Sequence, residues 1–292
     1  MKPPAFEWVA PDSLEACLAE LIDSDGDVRV IAGGQSLIPL LNLRFARPLR
    51  LVDINPRDEL AAITTAATAT GYEVRIGATV RHQGVLEDAA LNDVCPVFAQ
   101  AAIEIGHLAI RNRGTFVGAV AHADPHGEWP AVALALSGVV SAQSAERGER
   151  AIPAAEYYLG PYSTSLETDE MVTAVAFQIP RDQSAACCEV SPRRGDFAQA
   201  GAVAALSATD GQVRSARVAL FGEATGLRSL SVESLVGASL AELDPRAWDS
   251  VSIRLCAGAA AGANQRLVEH VVACALADAA GQRARAAAKE EQ

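Results

Sequence analysis

The sequence predicts a fold that mixes α-helices with β-strands. The chain has 292 residues, of which 50% are hydrophobic, so it is able to bury a substantial core as two domains or as one domain with sub-layers. The first part alternates strands and helices around a pair of glycines. The last part has the pattern of a small antiparallel sheet covered by helices.

Charge and cysteine content narrow the class of protein. The net charge is −12 and no run is rich in lysine and arginine, so the sequence does not predict a nucleic-acid partner. The N-terminal residues include prolines and acids where a signal peptide would need a continuous apolar run, and no apolar run elsewhere reaches membrane-spanning length. We therefore expect a cytoplasmic protein without membrane insertion. The six cysteines lack C-x-x-C spacing, so we expect neither a metal site nor a disulfide framework.

The first part of the chain is predicted to form a strand, a helix, a second strand and a glycine turn. The first strand is Glu7–Val9, and the helix begins after Asp12 and Ser13, either of which is able to cap it. An acidic loop at residues 23–27 ends the helix. A buried strand follows at Val28–Ile31.

A pair of glycines, Gly33 and Gly34, follows that strand directly, and an apolar pattern resumes at Leu37. Adjacent glycines permit positive φ and a close approach of a ligand to the peptide groups. The backbone N–H groups of residues 34–36 are then free to point at an anion such as a phosphate. The alternative is a plain tight turn between two core elements.

The remaining elements are predicted from apolar periodicity and from turn residues. Strands are expected at residues 51–54, 72–76, 139–142, 154–158, 165–179, 197–206 and 213–221. Helices are expected after residue 79, over residues 93–110 with Pro96 in the first turn, over residues 131–136, and from about residues 231 and 247. An amphipathic helix over residues 260–280 places Leu267, Val271, Val272 and Leu276 on one face.

The predicted loop at residues 111–130 is rich in small residues, hydroxyl and amide donors, and carboxylates. Such a loop suits phosphate contact at one end and ribose hydroxyls at the other. His122, Asp124 and His126 also allow a metal site, but one short loop would then have to supply every ligand. Acyl transfer by Ser36 and His122 is disfavoured because the G-x-S-x-G elbow is missing.

Three segments together resemble a known family. They are AGGQSLIPLLNLR, RNRGTFVGAVAHADPHGEWPA and RRGDFAQAGAVAAL, which occur in this order within residues 6–278. The sequence is similar to the FAD-binding medium subunit of the molybdenum hydroxylases, a family that includes the carbon monoxide dehydrogenase flavoprotein subunit and the flavin domain of xanthine dehydrogenase.

The resemblance implies an α+β fold of the FAD-binding type shared with p-cresol methylhydroxylase, followed by a C-terminal three-stranded antiparallel sheet with helices. We expect an FAD-binding domain over residues 1–178, with subdomains at about residues 1–56 and 57–178. The C-terminal domain is expected over residues 179–285, and a frayed tail over residues 286–292.

The resemblance also implies FAD bound without a covalent link, with its pyrophosphate held by two glycine loops. The first loop would contribute Ala32, Gly33, Gly34, Gln35, Ser36 and Leu37, and the second Thr115, Gly118 and Ala119. Glu128 would be the carboxylate on the ribose side, with Asp124 as a second candidate. Ile105 is expected against the flavin ring, and Val172 near it. No catalytic acid or base is implied.

Two departures from the family pattern stand out. Val117 occupies a position that is usually glycine in the family, and Cys187 to Val190 replace an aromatic residue and a lysine near the flavin. Within that segment, the carboxylate of Glu189 would disfavour an anionic reduced flavin by charge repulsion.

The function implied is that of an electron-transfer subunit. Substrate oxidation would occur at a molybdenum cofactor in a large subunit, and electrons would pass through [2Fe–2S] centres of a small subunit to FAD in this chain. One alternative, motivated by Val117 and Glu189, is a stand-alone flavoenzyme that acts on a small organic substrate. Another is a flavin fold that has lost FAD and serves as a binding module.

Overall fold

The N-terminal part is built on a small parallel sheet. A computed structural model describes residues 2–22, 26–230, 232–240, 245–257, 259–260 and 263–290. The first elements are β1 (Glu7–Val9), α1 (Leu14–Ala19), β2 (Val28–Ile31), α2 (Leu37–Asn42) and β3 (Arg50–Asp53). Strand β3 is central and pairs in parallel with both β1 and β2. The segments that follow β2 and β3 therefore lie side by side at one edge of the sheet.

Several N-terminal predictions are confirmed. The strands at Glu7–Val9 and Val28–Ile31 have the predicted bounds, and the Ser13 hydroxyl accepts a hydrogen bond from the backbone N–H of Ala16, 3.1 Å away, at the start of α1. Of the acidic loop predicted at residues 23–27, residues 23–25 lie outside the described part of the chain.

The middle part combines an antiparallel sheet with short helices. Its strands are β4 (Ile63–Ala67), β5 (Gly71–Gly77), β6 (Val139–Ser144), β7 (Gly148–Pro153), β8 (Tyr158–Gly160), β9 (Ser163–Thr164) and β10 (Glu170–Pro180). Its helices are α3 (His82–Glu87), α4 (Ala89–Val94), α5 (Val97–Glu104), α6 (Leu108–Arg111), α7 (Phe116–His122), α8 (Glu128–Ala135) and α9 (Ala154–Tyr157). The sheet order is β4-β5-β10-β6-β7, while β8 and β9 form a separate pair.

An aromatic cluster fills the core between this sheet and the helices. The ring centroids of Phe116 and Trp129 are 4.6 Å apart, and those of Phe98 and Phe177 are 5.3 Å apart. All four side chains are at most 1% exposed. Helices α5, α7 and α8 are thereby anchored to strand β10, which fixes the segments that connect them.

The C-terminal part has a second antiparallel sheet. Its strands are β11 (Gln183–Val190), β12 (Ala200–Thr209), β13 (Gln212–Phe221) and β14 (Arg228–Leu230), and they lie side by side in the same order as in the chain. The described residues thus give four strands where three were expected. Helices α10 (Pro245–Leu255) and α11 (Ala263–Glu290) complete this part. Helix α11 packs on β11 and β12 through a face that includes the predicted Val271, Val272 and Leu276.

The C-terminal helix predictions have mixed outcomes. Helix α11 continues to Glu290, so most of the tail expected at residues 286–292 is helical. Another helix was predicted to begin near residue 231. That residue lies outside the described ranges, and Glu233–Leu235 form only a 3-10 turn. None of the helices in the described ranges has the length and apolar character required to cross a bilayer.

The single helix predicted over residues 93–110 is wrong, because α4, α5 and α6 divide it. Cys95 is extended, with φ −150° and ψ 94°, since the residue before Pro96 is disfavoured in the helical region. Ile105 is extended after α5, with φ −69° and ψ 106°, and Gly106 has φ +49°, so the helical path is broken again before α6.

Other differences arise where local patterns are weak. The predicted loop at residues 111–130 contains α7, and the strand predicted at residues 154–158 is mainly α9. Strands β4, β7, β11 and β14 were not predicted. Strand β11 has the sequence QSAACCEV, with small residues and no regular alternation, and only Ile152 is buried in β7.

Candidate functional site

The first glycine loop has the geometry that the sequence predicts. Gly34 has φ +71°, a conformation that favours glycine over residues with a Cβ. The Gln35 side chain folds back, and its Nε2 donates to the Gly33 carbonyl oxygen at 3.1 Å. Ser36 precedes α2 and makes no side-chain capping bond. The loop is therefore a shaped turn in which Gly33 is buried and Gln35 and Ser36 are exposed.

The backbone donors of this loop face an open cleft. Within the described ranges, the N–H groups of Gly34, Gln35 and Ser36 donate to no acceptor. Gly34 and Gln35 help to line a cavity of about 440 Å³, together with Trp8, Ile31, Ala32, Gly33, Ile38, Pro39, Asp53, Asn55 and Arg113. Free N–H groups with a guanidinium at the rim suit an anion.

The second loop is held against the turn between β5 and α3. The Gly114 carbonyl accepts from the His82 N–H, and the Val80 carbonyl accepts from the Phe116 N–H, both at 3.0 Å. Thr115 is 3% exposed and its hydroxyl accepts from the Gly118 N–H at 3.1 Å. Thr115 therefore caps α7 and fixes where that helix begins.

The two loops touch through backbone alone. An ideal Cβ on Gly33 would lie 2.4 Å from the Arg113 carbonyl oxygen and 2.6 Å from the Gly114 Cα. Gly114 is equally confined on its other side, where a Cβ would lie 2.4 Å from His82 Nε2. A side chain at position 33 would push the two loops apart, and one at position 114 would displace the second loop from His82.

A buried pair supports the second loop from behind. Trp129 Nε1 donates to His82 Nδ1 at 2.9 Å, and His82 is 5% exposed. Burial, with the nearby charges of Arg81 and Arg111, lowers the pKa of His82 to about 3. The ring is therefore neutral and carries its proton on Nε2, the nitrogen that faces Gly114.

The helix that follows the second loop presents its small residues outward. Val117 is 2% exposed and packs in the main core, so its β-branched side chain does not face the cleft. Gly118 is exposed and Ala119 half-buried. Their N–H groups are already engaged, by the Thr115 hydroxyl and carbonyl respectively, so what they offer a ligand is close approach.

Carboxyl groups gather beyond this helix. Asp124 Oδ1 accepts from the His126 N–H at 2.9 Å. Burial, followed by the charges of Glu189 and Asp124, raises the pKa of Glu128 to about 8. Burial and the charge of Glu104 raise the pKa of Glu189 to about 7. A protonated Glu128 both donates and accepts, which suits hydroxyl groups of a ligand.

The third of the family-like segments, RRGDFAQAGAVAAL, packs on the residues that follow α5. Gly195 has φ +88° and packs on Gly106, whose carbonyl oxygen would lie 2.6 Å from a Cβ at position 195. Ile105, beside Gly106, is half-buried against the main core. Val172 is 4% exposed within β10 and is not among the residues that line the first-loop cleft.

The cleft also includes three polar residues that sequence reasoning did not place there, namely Asp53, Asn55 and Arg113. The available signal was that polar residues follow β3, which is parallel to β2, since the carboxyl ends of neighbouring parallel strands share an edge.

These features fit a cofactor with an anionic diphosphate and a hydroxyl-bearing end. Unpaired N–H groups and Arg113 belong to the first-loop cleft, and two carboxyl groups with raised pKa values, Glu128 and Glu189, would form the other end of the site. The two ends differ in the charge that they accept. Proteins that bind a nucleotide cofactor by its diphosphate form the class that this fold and site define.

The chain belongs to the family described as the FAD binding domain in molybdopterin dehydrogenase, which matches residues 4–182. It is 39% identical over 239 residues to subunit alpha of the 6-hydroxypseudooxynicotine dehydrogenase complex of Paenarthrobacter nicotinovorans, covering 81% of this chain and 79% of the relative. It is 32% identical to the carbon monoxide dehydrogenase medium chain of Hydrogenophaga pseudoflava over 259 residues, 88% of each chain.

Among solved structures, quinoline 2-oxidoreductase from Pseudomonas putida 86 superposes with a TM-score of 0.86 at 30% identity, covering 97% of this chain and 99% of that chain. The resemblance to FAD-binding subunits of molybdenum hydroxylases is thereby confirmed, FAD is the cofactor, and the chain is an oxidoreductase component.

Replacing Gly33 by alanine is expected to weaken FAD binding by roughly tenfold or more, since the new Cβ displaces the second loop. Gly34→Ala is expected to act in the same direction through strain at φ +71°. Titration of FAD into the flavin-free protein measures both effects.

Gly84→Ala is the matched control for these variants. Gly84 lies in α3, no atom is within 4 Å of its ideal Cβ, and its φ is not positive. The affinity of this variant for FAD should equal that of the wild type. Wild-type affinity in Gly33→Ala would contradict the role of the loop contact.

The raised pKa values of Glu128 and Glu189 predict a pH-dependent stability. The folded state holds protons that the unfolded state loses above about pH 4.5, so the free energy of unfolding falls as the pH rises from there to about 8. Glu128→Gln should flatten this fall and raise the stability of the flavin-free protein at pH 8 by about 1 kcal/mol or more. Denaturant titrations at pH 5 and pH 8 measure it, with the exposed Glu156→Gln as control.

Proposed function

We propose that this chain is the FAD-bearing medium subunit of a cytoplasmic molybdenum hydroxylase complex, with an FAD domain of the p-cresol methylhydroxylase type. Its partners would be a large subunit with the molybdenum cofactor and a small subunit with [2Fe–2S] centres. FAD, when bound, supplies the redox chemistry that connects these centres with an external electron acceptor. The names of the relatives, among them a medium chain and a dehydrogenase complex subunit, support this arrangement.

The observation that carries the proposal is the contact between the two glycine loops beside uncovered backbone donors. We assign the diphosphate to the first loop, from Ala32 to Leu37, with Thr115, Gly118 and Ala119 forming the opposite wall. Fixed N–H donors need little reorganisation when the anion binds. This chain would therefore bind and orient the cofactor.

The other end of the site would set the environment of the flavin. We assign ribose-side hydroxyls to Glu128 and Asp124, and flavin contacts to Ile105, with Val172 acting from behind through the core. Glu189 and Glu128 hold protons near neutral pH, so they place less negative charge beside the cofactor than two ionised carboxylates would.

The test is reduction of the flavin with and without the partner subunits. The purified complex should contain about one FAD per chain, and substrate should bleach the flavin absorption in the complex. The isolated chain with FAD should remain oxidised when the same substrate is added, because it lacks the molybdenum centre at which oxidation takes place.

The rival functions give different results. Turnover of an organic substrate by the isolated chain with FAD would favour a stand-alone flavoenzyme. Failure of both chain and complex to bind FAD would favour a binding module. The burial of Val117 removes one reason for expecting a divergent cofactor site, since its side chain packs in the core.

A further inference from the structure

Arg81 connects the two glycine loops although it belongs to neither. It lies between β5 and α3 and forms an antiparallel bridge with Thr115. Its Nη1 donates to the Arg113 carbonyl oxygen and its Nη2 donates to Asn55 Oδ1, each at 2.5 Å. One guanidinium therefore contacts both the segment before Thr115 and the segment after β3.

Asn55 continues this connection to the first loop. Its Nδ2 donates to the Ala32 carbonyl oxygen at 2.8 Å and to Asp53 Oδ1 at 2.6 Å. Its backbone N–H also donates to Asp53 Oδ1, at 2.9 Å. The amide orientation is fixed, because only the oxygen of Asn55 is able to accept from Arg81. A continuous chain of hydrogen bonds thus runs from Ala32 through Asn55 and Arg81 to Arg113.

The side chain of Arg81 is committed to these neutral acceptors. No carboxylate forms a salt bridge with it in the described part of the chain. Burial and the charge of Arg113 lower its pKa, while Asp53 acts in the opposite direction. Desolvating a guanidinium costs free energy, which the fixed fork of bonds to Asn55 and Arg113 offsets.

We propose that Arg81 is a positioning residue that, through Asn55, sets the separation of the two glycine loops and thereby the rate at which FAD is released. The inference rests on FAD lying between these loops, as in the proposed function. A lysine at this position has a single ammonium group in place of the planar fork, so it is able to hold one loop but not both in the same geometry.

The experiment measures FAD release from the FAD-loaded complex by the recovery of flavin fluorescence. Arg81→Met should release FAD roughly tenfold faster or more, and Arg81→Lys should fall between Arg81→Met and the wild type. Asn55→Ala should act like Arg81→Met. Because both substitutions break the same connection between the loops, the double variant should release FAD about as fast as either single variant.

Arg75→Met is the matched control, since Arg75 lies on β5 and donates to the Ser141 hydroxyl, remote in sequence from both loops. It should leave the release rate unchanged. The melting temperatures of the flavin-free proteins separate this role from general destabilisation. If the role were merely structural, the increase in the release rate of each variant would follow its loss of stability, and the effects of the Arg81 and Asn55 substitutions would add in the double variant.

If the wild-type complex binds FAD, either of two outcomes would overturn the inference. They are a wild-type release rate in Arg81→Met, and additive effects of Arg81→Met and Asn55→Ala. Absence of FAD from the wild-type complex would instead overturn the proposed function, and the inference with it, so the two failures are distinguishable.

Discussion

The site depends on a contact in which two stretches of backbone meet without side chains between them. Gly33 faces the Arg113 carbonyl and Gly114, and Gly114 is confined in turn by the buried ring of His82. The first loop comes from a parallel sheet and the second from the helices on an antiparallel sheet. Close packing leaves no room for a methyl group at this junction, so two separately built parts of the chain share one cleft.

This junction also explains the distribution of charge. Backbone donors and Arg113 lie on the side where the loops meet, whereas burial and neighbouring carboxylates raise the pKa values of Glu128 and Glu189 farther along. In a chain with a net charge of −12, an anionic cofactor needs a local region of positive potential. Fixed N–H groups and Arg113 supply donors for it, Asn55 donates to the Asp53 carboxylate of the same cleft, and protonation limits the repulsion from Glu128 and Glu189.

Sequence patterns predicted the first loop well because its signal is local. A buried strand, two glycines and a resumed apolar pattern occupy adjacent positions, and Gly34 takes the expected positive φ. Helix α7 was missed because it is short and includes Gly118 and two valines, which are weak helix formers, and β11 was missed because it lacks alternation. The contact of Arg81 with Asn55 joins residues 26 positions apart, so tertiary packing alone brings them together.

The two positions at the start of α7 differ in what constrains them. Position 117 faces the core, where Val117 packs at 2% exposure. Position 118 faces outward, yet a Cβ there would lie 2.5 Å from Thr115 Oγ1, the atom that caps the helix. The constraint at position 118 therefore comes from the cap as well as from the cofactor. Position 117 is constrained instead by the core in which its side chain packs, because neither the cap nor the first-loop cleft touches that side chain.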